Sequence, residues 1–348
     1  MNLALFSRKS RTHFYLLLIP AVCFFVYLAW ACRLPLSEAP DEIIRLQVPF
    51  YIAANNVLPN GFDPSIRNGL WGISYAFTPY GSSLLSALFV KMAMMLQLNS
   101  ALQVVAARLS SCISGAMTVL ILILICRELE FESIVAALSG LMLGLLPQFA
   151  FLSSYLNNDI FSALCTALVI LGWLRGLRGG WLAKDCVFLG VGIGLLSLSY
   201  YFAYGLIPIS IVLFFVGARR RGLEYEVIFR RAALVFAVAF LIGGWFFVRN
   251  AIIYSGDFLG MRSYSESAEL YAIDDLKPSA HMTPKLAGEQ FMSPLFGTGW
   301  LLMTNKSCIC YLGGTAYPLN NVVYGAATIL YAVTLLAAVV LGKCRLLA

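Results

Sequence analysis

The chain contains few charged residues. Of its 348 residues, 12% are charged and 60% are hydrophobic, whereas soluble domains carry about twice that charged fraction. Several apolar runs reach the ~20 residues that an α-helix needs to cross the hydrocarbon core of a bilayer. A β-barrel would instead show short alternating strands. The composition therefore excludes an ordinary soluble domain and predicts an all-α polytopic membrane protein.

Histidine is also scarce, and cysteine forms no pattern. His13 is predicted on the cytoplasmic side, and His281 lies alone in a polar loop. A Ser-His-Asp arrangement or a histidine-based zinc site is therefore not expected. The nine cysteines are scattered, and most lie in apolar runs, where cysteine behaves as a small apolar residue.

The net charge of +7 does not indicate nucleic-acid binding, because lysine and arginine occur in short clusters between apolar runs. Membrane topology explains such clusters, because basic loops between transmembrane helices stay on the cytoplasmic side. The apolar segment 82–98, interrupted by Lys91, decides the topology. If it crossed the membrane, the later arginine clusters would lie outside. We therefore expect 82–98 to be an interfacial helix within a long first outer loop, residues 33–104.

This choice predicts about eight transmembrane helices with both termini in the cytoplasm. Residues 1–250 form a membrane core that includes the outer loop 33–104, residues 251–320 form a second outer loop, and residues 321–348 form the last helix and a tail. Glycine pairs four residues apart in two helices predict close helix packing. The pairs are Gly140 with Gly144 and Gly190 with Gly194; the spans are 13–32, 105–126, 133–153, 160–175, 186–200, 203–218, 232–249 and 322–341.

Carboxylates occur at two predicted outer positions. Asp41 and Glu42 follow Pro40 just after the first span, and Asp159 follows Asn158 at a later outer corner. A carboxylate can deprotonate a hydroxyl group that attacks a sugar carbon. Each position also has a structural interpretation. Asp41 and Glu42 suit the first turn of a helix, with Arg45 four residues further on, and Asp159 could cap the helix that it begins.

Three arginines lie on the same predicted side. Arg45, Arg108 and Arg249 could hold and neutralise a departing phosphate. Arg108 lies in the apolar start of a span, where an arginine needs a cavity or a partner, whereas Arg249 could simply extend to the interface. Trp300 ends the aromatic stretch 291–300, which is either a sugar-binding lid or an interfacial aromatic belt. Acids and cations at one membrane surface suit sugar transfer from a lipid phosphate.

The order of these residues resembles that of the membrane-embedded glycosyltransferases of the GT-C fold. This group includes the protein O-mannosyltransferases, the aminoarabinose transferases that modify lipid A, and a large bacterial branch. Pro40-Asp41-Glu42 is similar to the acidic motif of the first outer loop, and Asn158-Asp159 to the second acidic position. The resemblance covers roughly residues 14–260 and also includes Arg108-Leu109-Ser110, Gly115, Leu120, Trp245, Arg249-Asn250, Tyr254, Gly256, Asp257 and Gly260.

The resemblance implies an inverting transfer from a polyprenyl-phosphate sugar to a glycan, lipid or protein acceptor, at the outer face of a bacterial inner membrane. Asp41 would be the general base, Asp159 a supporting acid, and Arg108 and Arg249 phosphate-side residues. Arg45 stands where the bacterial branch often has histidine. Metal dependence stays open, because the two outer acids could share a divalent metal ion, whereas enzymes of this type that use lipid phosphates often need none.

Two alternatives remain open at this point. A transporter or flippase for a lipid-linked sugar would place charged residues deep within its spans and across both leaflets. A non-catalytic membrane protein of envelope assembly would not depend on Asp41 or Asp159.

Overall fold

The computed structural model describes residues 3–281, 288, 292–293 and 299–347. Helices dominate this part of the chain, and the one named β-strand of the described residues is the two-residue Tyr317–Pro318. The α-helices of the described residues are α1 (Leu3–Ala31), α2 (Glu42–Asn55), α3 (Gly81–Met95), α4 (Ser100–Glu128), α5 (Ser133–Gly144), α6 (Pro147–Leu152), α7 (Asp159–Gly179), α8 (Ala183–Ser197), α9 (Leu206–Arg220), α10 (Tyr225–Ala239), α11 (Trp245–Ile253), α12 (Met261–Tyr271), α13 (Trp300–Ile309), α14 (Leu312–Thr315) and α15 (Asn321–Leu347).

Within the described residues, four helical segments are long and apolar enough to cross a membrane. Shorter apolar helices occur at Leu17–Ala31, Gly81–Met95, Ser133–Gly144 and Asn321–Thr334. The prediction of an all-α polytopic membrane protein is therefore confirmed. The four long segments are Ser100–Glu128, Asp159–Gly179, Tyr201–Arg220 and Tyr225–Ile253.

Two of the predicted spans are not continuous α-helices. The span expected at 133–153 consists of α5 and α6, and the second of these begins at Pro147. Proline lacks the N–H group that a helix interior needs, so it is favoured at the start of a new helix. A π-helical turn, Phe240–Gly244, joins α10 to α11, and a Cβ atom on Gly243 would collide with Ser197 of α8. Such a turn re-aims the helix that follows it.

Contacts divide the chain into two compact units. The first lies within Met1–Ser37, Asp41–Leu145 and Phe149–His281, and the second within Glu38–Pro40, Leu146–Gln148 and Met282–Ala348. In the second unit, the Tyr324 hydroxyl donates to the Cys310 carbonyl at 2.5 Å, which ties α15 to the end of α13.

Helix α4 lies at the centre of the first unit, where it packs against α1, α3, α5 and α7. Small residues allow these close approaches. A Cβ atom on Gly140 would lie 2.5 Å from Ile123 of α4, and one on Gly194 would lie 2.7 Å from Ile242. The predicted packing role of the glycine pairs therefore agrees with the contacts of α5 and α8.

Candidate active site

The chain enters α2 through a left-handed turn at Asp41. Its φ of 56° and ψ of 2° lie in a region that costs a non-glycine residue roughly 1–2 kcal/mol. The Asp41 carbonyl accepts the N–H groups of Ile44 and Arg45 at 3.1 and 3.0 Å, so the backbone opens the helix. The side chain makes no capping bond. Instead its Oδ2 accepts the Tyr75 hydroxyl at 3.0 Å, and the carboxylate remains exposed.

Glu42 and Arg108 form a buried bidentate ion pair. Arg108 Nε and Nη2 donate to the two carboxylate oxygens of Glu42 at 2.8 and 2.6 Å, and the side chains are 2% and 0% exposed. Arg108 Nη1 also donates to the carbonyls of Ala31 and Leu34, both at 2.7 Å. Glu42 accepts the Leu156 N–H at 2.9 Å. This clamp fixes the start of α2 to α4, to the end of α1 and to the corner before Asp159.

The corner before α7 is held by two asparagines. Asn157 caps the helix, since its Oδ1 accepts the Ile160 N–H at 2.9 Å. Asn158 is buried and accepts the Ser82 hydroxyl at 2.6 Å, which ties the corner to the first turn of α3. Asp159 is the first residue of α7 and is exposed. Asn157 therefore provides the side-chain cap of α7, and the carboxylate of Asp159 is left available for another partner.

Arg45 brings the two exposed acids into one electrostatic group. Asp159 lies within electrostatic reach of both Arg45 and Asp41, yet neither acid forms a salt bridge within the described residues. The Arg45 guanidinium lies 4.2 Å from the centroid of the Tyr75 ring. Its side chain is 8% exposed, and its Nε and Nη1 atoms have no hydrogen-bond partner. We call Asp41, Arg45 and Asp159 the acid–arginine group.

Three tyrosines border the acid–arginine group. Burial raises the pKa of the Tyr75, Tyr155 and Tyr264 hydroxyls. Nearby negative charge raises these pKa values further, from Asp41 beside Tyr75 and Tyr264 and from Asp159 beside Tyr155, while Arg45 opposes the shift. The hydroxyls therefore stay protonated and can donate hydrogen bonds. Sequence reasoning missed these residues, and its one available signal was the abundance of aromatic residues in the predicted outer loops.

The other two predicted substrate-binding residues lie elsewhere. Arg249 Nη2 donates to the carbonyls of Leu58 and Pro59 at 3.1 and 2.7 Å, while its buried Nη1 has no partner. Trp300 begins α13 in the second unit and is exposed; residues 291 and 294–298 of the same aromatic stretch fall outside the described part of the chain.

Within the part of the chain that the structure describes, no three His, Cys, Asp or Glu side chains form a group suited to a metal ion. The acid–arginine group itself contains two carboxylates and a cation.

Comparison with known families gave one match. Residues 82–245 match the family model of the dolichyl-phosphate-mannose-protein mannosyltransferases. The predicted resemblance is thereby confirmed, and it supports a membrane glycosyltransferase of the GT-C type. The matched region, just under half of the chain, includes Arg108 and Asp159 but begins after Asp41. No curated protein and no solved structure is significantly similar to the chain.

Proposed function

We propose that the chain transfers a sugar from a polyprenyl-phosphate donor to a cell-envelope acceptor at the outer face of a bacterial inner membrane. The observation that carries this proposal is the acid–arginine group. Two exposed carboxylates interact electrostatically with each other and with a buried guanidinium, two of whose donors have no partner among the described residues. Such a group offers a base for a hydroxyl and a counter-charge for a phosphate, and both would be needed at the same sugar carbon.

In this reaction Asp41 acts as the general base. Its carboxylate takes the proton of the acceptor hydroxyl while the acceptor oxygen forms a bond to the anomeric carbon. The bond from that carbon to the phosphate oxygen breaks, and the lipid phosphate leaves with the electron pair. Attack from the face opposite the phosphate inverts the anomeric centre. The exposure of Asp41 and its hydrogen bond from Tyr75 support this role, because they leave one oxygen free and fix the other.

Arg45 neutralises the departing phosphate, since its Nε and Nη1 atoms have no partner among the described residues. Asp159, which interacts electrostatically with Arg45, orients the acceptor or supports the base. Arg249 is a second phosphate-side residue, and its Nη1 atom has no geometrically defined hydrogen bond among the described residues. The sequence-based interpretation of Trp300 as an aromatic surface for a sugar stays a prediction. Asn158 acts on the substrate indirectly, through the corner that it fixes to Ser82.

Glu42 and Arg108 position the site in this proposal. Their hydrogen bonds are made to each other and to the backbone, and both side chains are buried. The clamp holds the first turn of α2 and the corner before α7 together. It thereby sets the separation between Asp41 and Asp159, although neither of its members contacts the acceptor.

The test is transfer of radiolabelled sugar by purified protein in membranes, from a panel of polyprenyl-phosphate sugars. Asp41→Asn should lower turnover by about 10²–10⁴-fold. Asp275→Asn is the matched control. Asp275 is also exposed and lies in an outer loop of the predicted topology, but it is not part of the acid–arginine group. Near-normal transfer by folded Asp41→Asn would contradict the proposed base. Labelled sugar that crosses the vesicle membrane without becoming attached to an acceptor would indicate a transporter instead.

A further inference from the structure

A second polar feature lies at the other end of the helices. Asp159 begins α7, and a cleft of about 730 Å³ opens where α7 ends. The 21 residues of α7 separate the two sites by about 30 Å at 1.5 Å per residue. The charged residues that line the cleft come from the ends of α4, α7 and α9 and the start of α8. They are Glu128, Glu130, Arg175, Arg178, Lys184, Asp185 and Arg221.

Two of the three acids in the cleft already have partners. Asp185 is buried, and its Oδ2 accepts the Leu182 N–H at 3.1 Å, so it serves as part of the cap of α8. Glu130 pairs with Arg178 at 3.2 Å. The four cations of the cleft outnumber its three acids by one, so its lining carries a net positive charge.

Three of these four cations form no salt bridge within the described residues. The guanidinium of Arg175 lies 4.7 Å from the centroid of the Phe188 ring, which holds it without using its hydrogen-bond donors. Arg221 is fixed to the end of α7, because its Nη2 donates to the carbonyls of Leu177 and Arg178 at 2.6 and 3.0 Å. Lys184 is exposed and forms no salt bridge within the described residues. The cleft thus holds preset positive charge that favours an anion.

The surroundings of the cleft identify the class of anion. Leu182 and Phe188 are the apolar side chains that line the cleft, and Leu182 is exposed. An occupant with a phosphate and an apolar tail satisfies both features at once. Basic pockets between helices at a membrane surface bind lipid headgroups in this way. We propose that this cleft binds the headgroup phosphate of an anionic phospholipid, with Arg175 and Lys184 as its principal contacts.

The experiment is native mass spectrometry of the full chain in detergent, titrated with phosphatidylglycerol or phosphatidylcholine. Phosphatidylglycerol should bind in preference to phosphatidylcholine. The double variant Arg175→Gln/Lys184→Gln should lower its apparent affinity at least about fivefold. Arg220→Gln is the matched control, because Arg220 lies at the same end of the helices but does not line the cleft. This control should stay within about twofold of the unchanged chain.

Three results would overturn the proposal. An equal loss of affinity in Arg220→Gln would show that only overall charge matters. Equal binding of phosphatidylcholine would remove the selectivity for negative charge. Displacement of the lipid by inorganic phosphate would show that the cleft binds free anions and is not specific for a lipid headgroup. If the double variant does not fold, Lys184→Gln is tested alone, because it changes only an exposed side chain. An affinity for phosphatidylglycerol that this variant leaves unchanged would also contradict the proposal.

Discussion

Arg45 determines the electrostatics of the site. A buried charge without a full set of partners is costly unless nearby charge or a ligand compensates it. Here the compensation within the protein comes from a tyrosine ring and from two carboxylates that form no direct pair with it. The guanidinium is therefore held in place but only partly used. An incoming phosphate would supply the acceptors that it lacks.

Two substitutions of Arg45 should distinguish the effect of its charge on transfer from the effect of its planar donor geometry. Arg45→Lys keeps the charge but loses the planar donors, so we expect transfer to fall by about 10–100-fold. Arg45→Gln should cost about 10²–10³-fold, as expected for loss of a donor to developing charge. Steady-state kinetics with varied donor lipid measures both. The control is Arg67→Lys, since Arg67 also stacks on a tyrosine, Tyr271, at 3.6 Å. An equal loss in this control would contradict a specific role for Arg45.

Tyr75 should matter through its single hydrogen bond to Asp41. Tyr75→Phe removes a donor worth about 0.5–1.5 kcal/mol, so we expect kcat to fall by roughly 2- to 10-fold with little change in KM. Tyr271→Phe, which alters an exposed hydroxyl outside the acid–arginine group, should have no effect. If Tyr75→Phe matched the unchanged chain, orientation of Asp41 by this hydroxyl would be excluded.

At the level of helices, the Glu42–Arg108 clamp joins α2 to α4. Removing one member of a buried pair leaves an uncompensated charge and typically costs about 3–5 kcal/mol. Glu42→Gln and Arg108→Gln should therefore each lower the thermal stability of the chain in detergent substantially. Arg178→Gln breaks the exposed pair with Glu130 and should change stability little. A stable but inactive Glu42→Gln variant would instead favour a direct catalytic role for Glu42.

Close helix packing gives a second prediction at this level. A Cβ atom on Gly140 would lie 2.5 Å from a side-chain carbon of Ile123, so Gly140→Ala should overpack the contact of α5 with α4 and cost about 1–3 kcal/mol. Gly325→Ala is the control, because that position in α15 has open space around it. It should be neutral or slightly stabilising. Thermal unfolding in detergent compares the two, and equal stability would show that α5 can shift to accommodate the methyl group.

The sequence predicted the helices better than their interruptions. Hydropathy continues across Pro147, so 133–153 was expected as one span although two helices cover it. Glycine spacing correctly indicated close contacts for α5 and α8. The partner of Arg108 could not be read from the sequence, because Glu42 lies 66 positions away and residue patterns do not reveal which distant charges meet.

For the whole molecule, the decisive property is the side of the membrane on which each polar site lies. Single cysteines at positions 41 and 159 should react with an impermeant maleimide from one side of sealed membrane vesicles. A cysteine at position 184, in the cleft at the other end of α7, should react only after the opposite face is exposed. Labelling of positions 41 and 159 from opposite compartments would contradict the proposed active site.

The candidate site was predictable in part at this scale. Asp41, Arg45 and Asp159 were all named from the sequence, because acids and arginines beside apolar spans need a reason to be there. Their grouping depends on how α2 folds back onto the corner before α7, which neither periodicity nor charge counts contain. The tyrosines around them were missed for the same reason, since aromatic residues are common at every membrane interface.

The left-handed backbone at Asp41 also limits how its carboxylate can be removed. Asparagine tolerates this conformation well, whereas alanine resists it. An alanine at this position would change the course of the chain into α2 as well as the chemistry, and its effect on the rate would mix the two. Asparagine keeps the turn and removes only the negative charge.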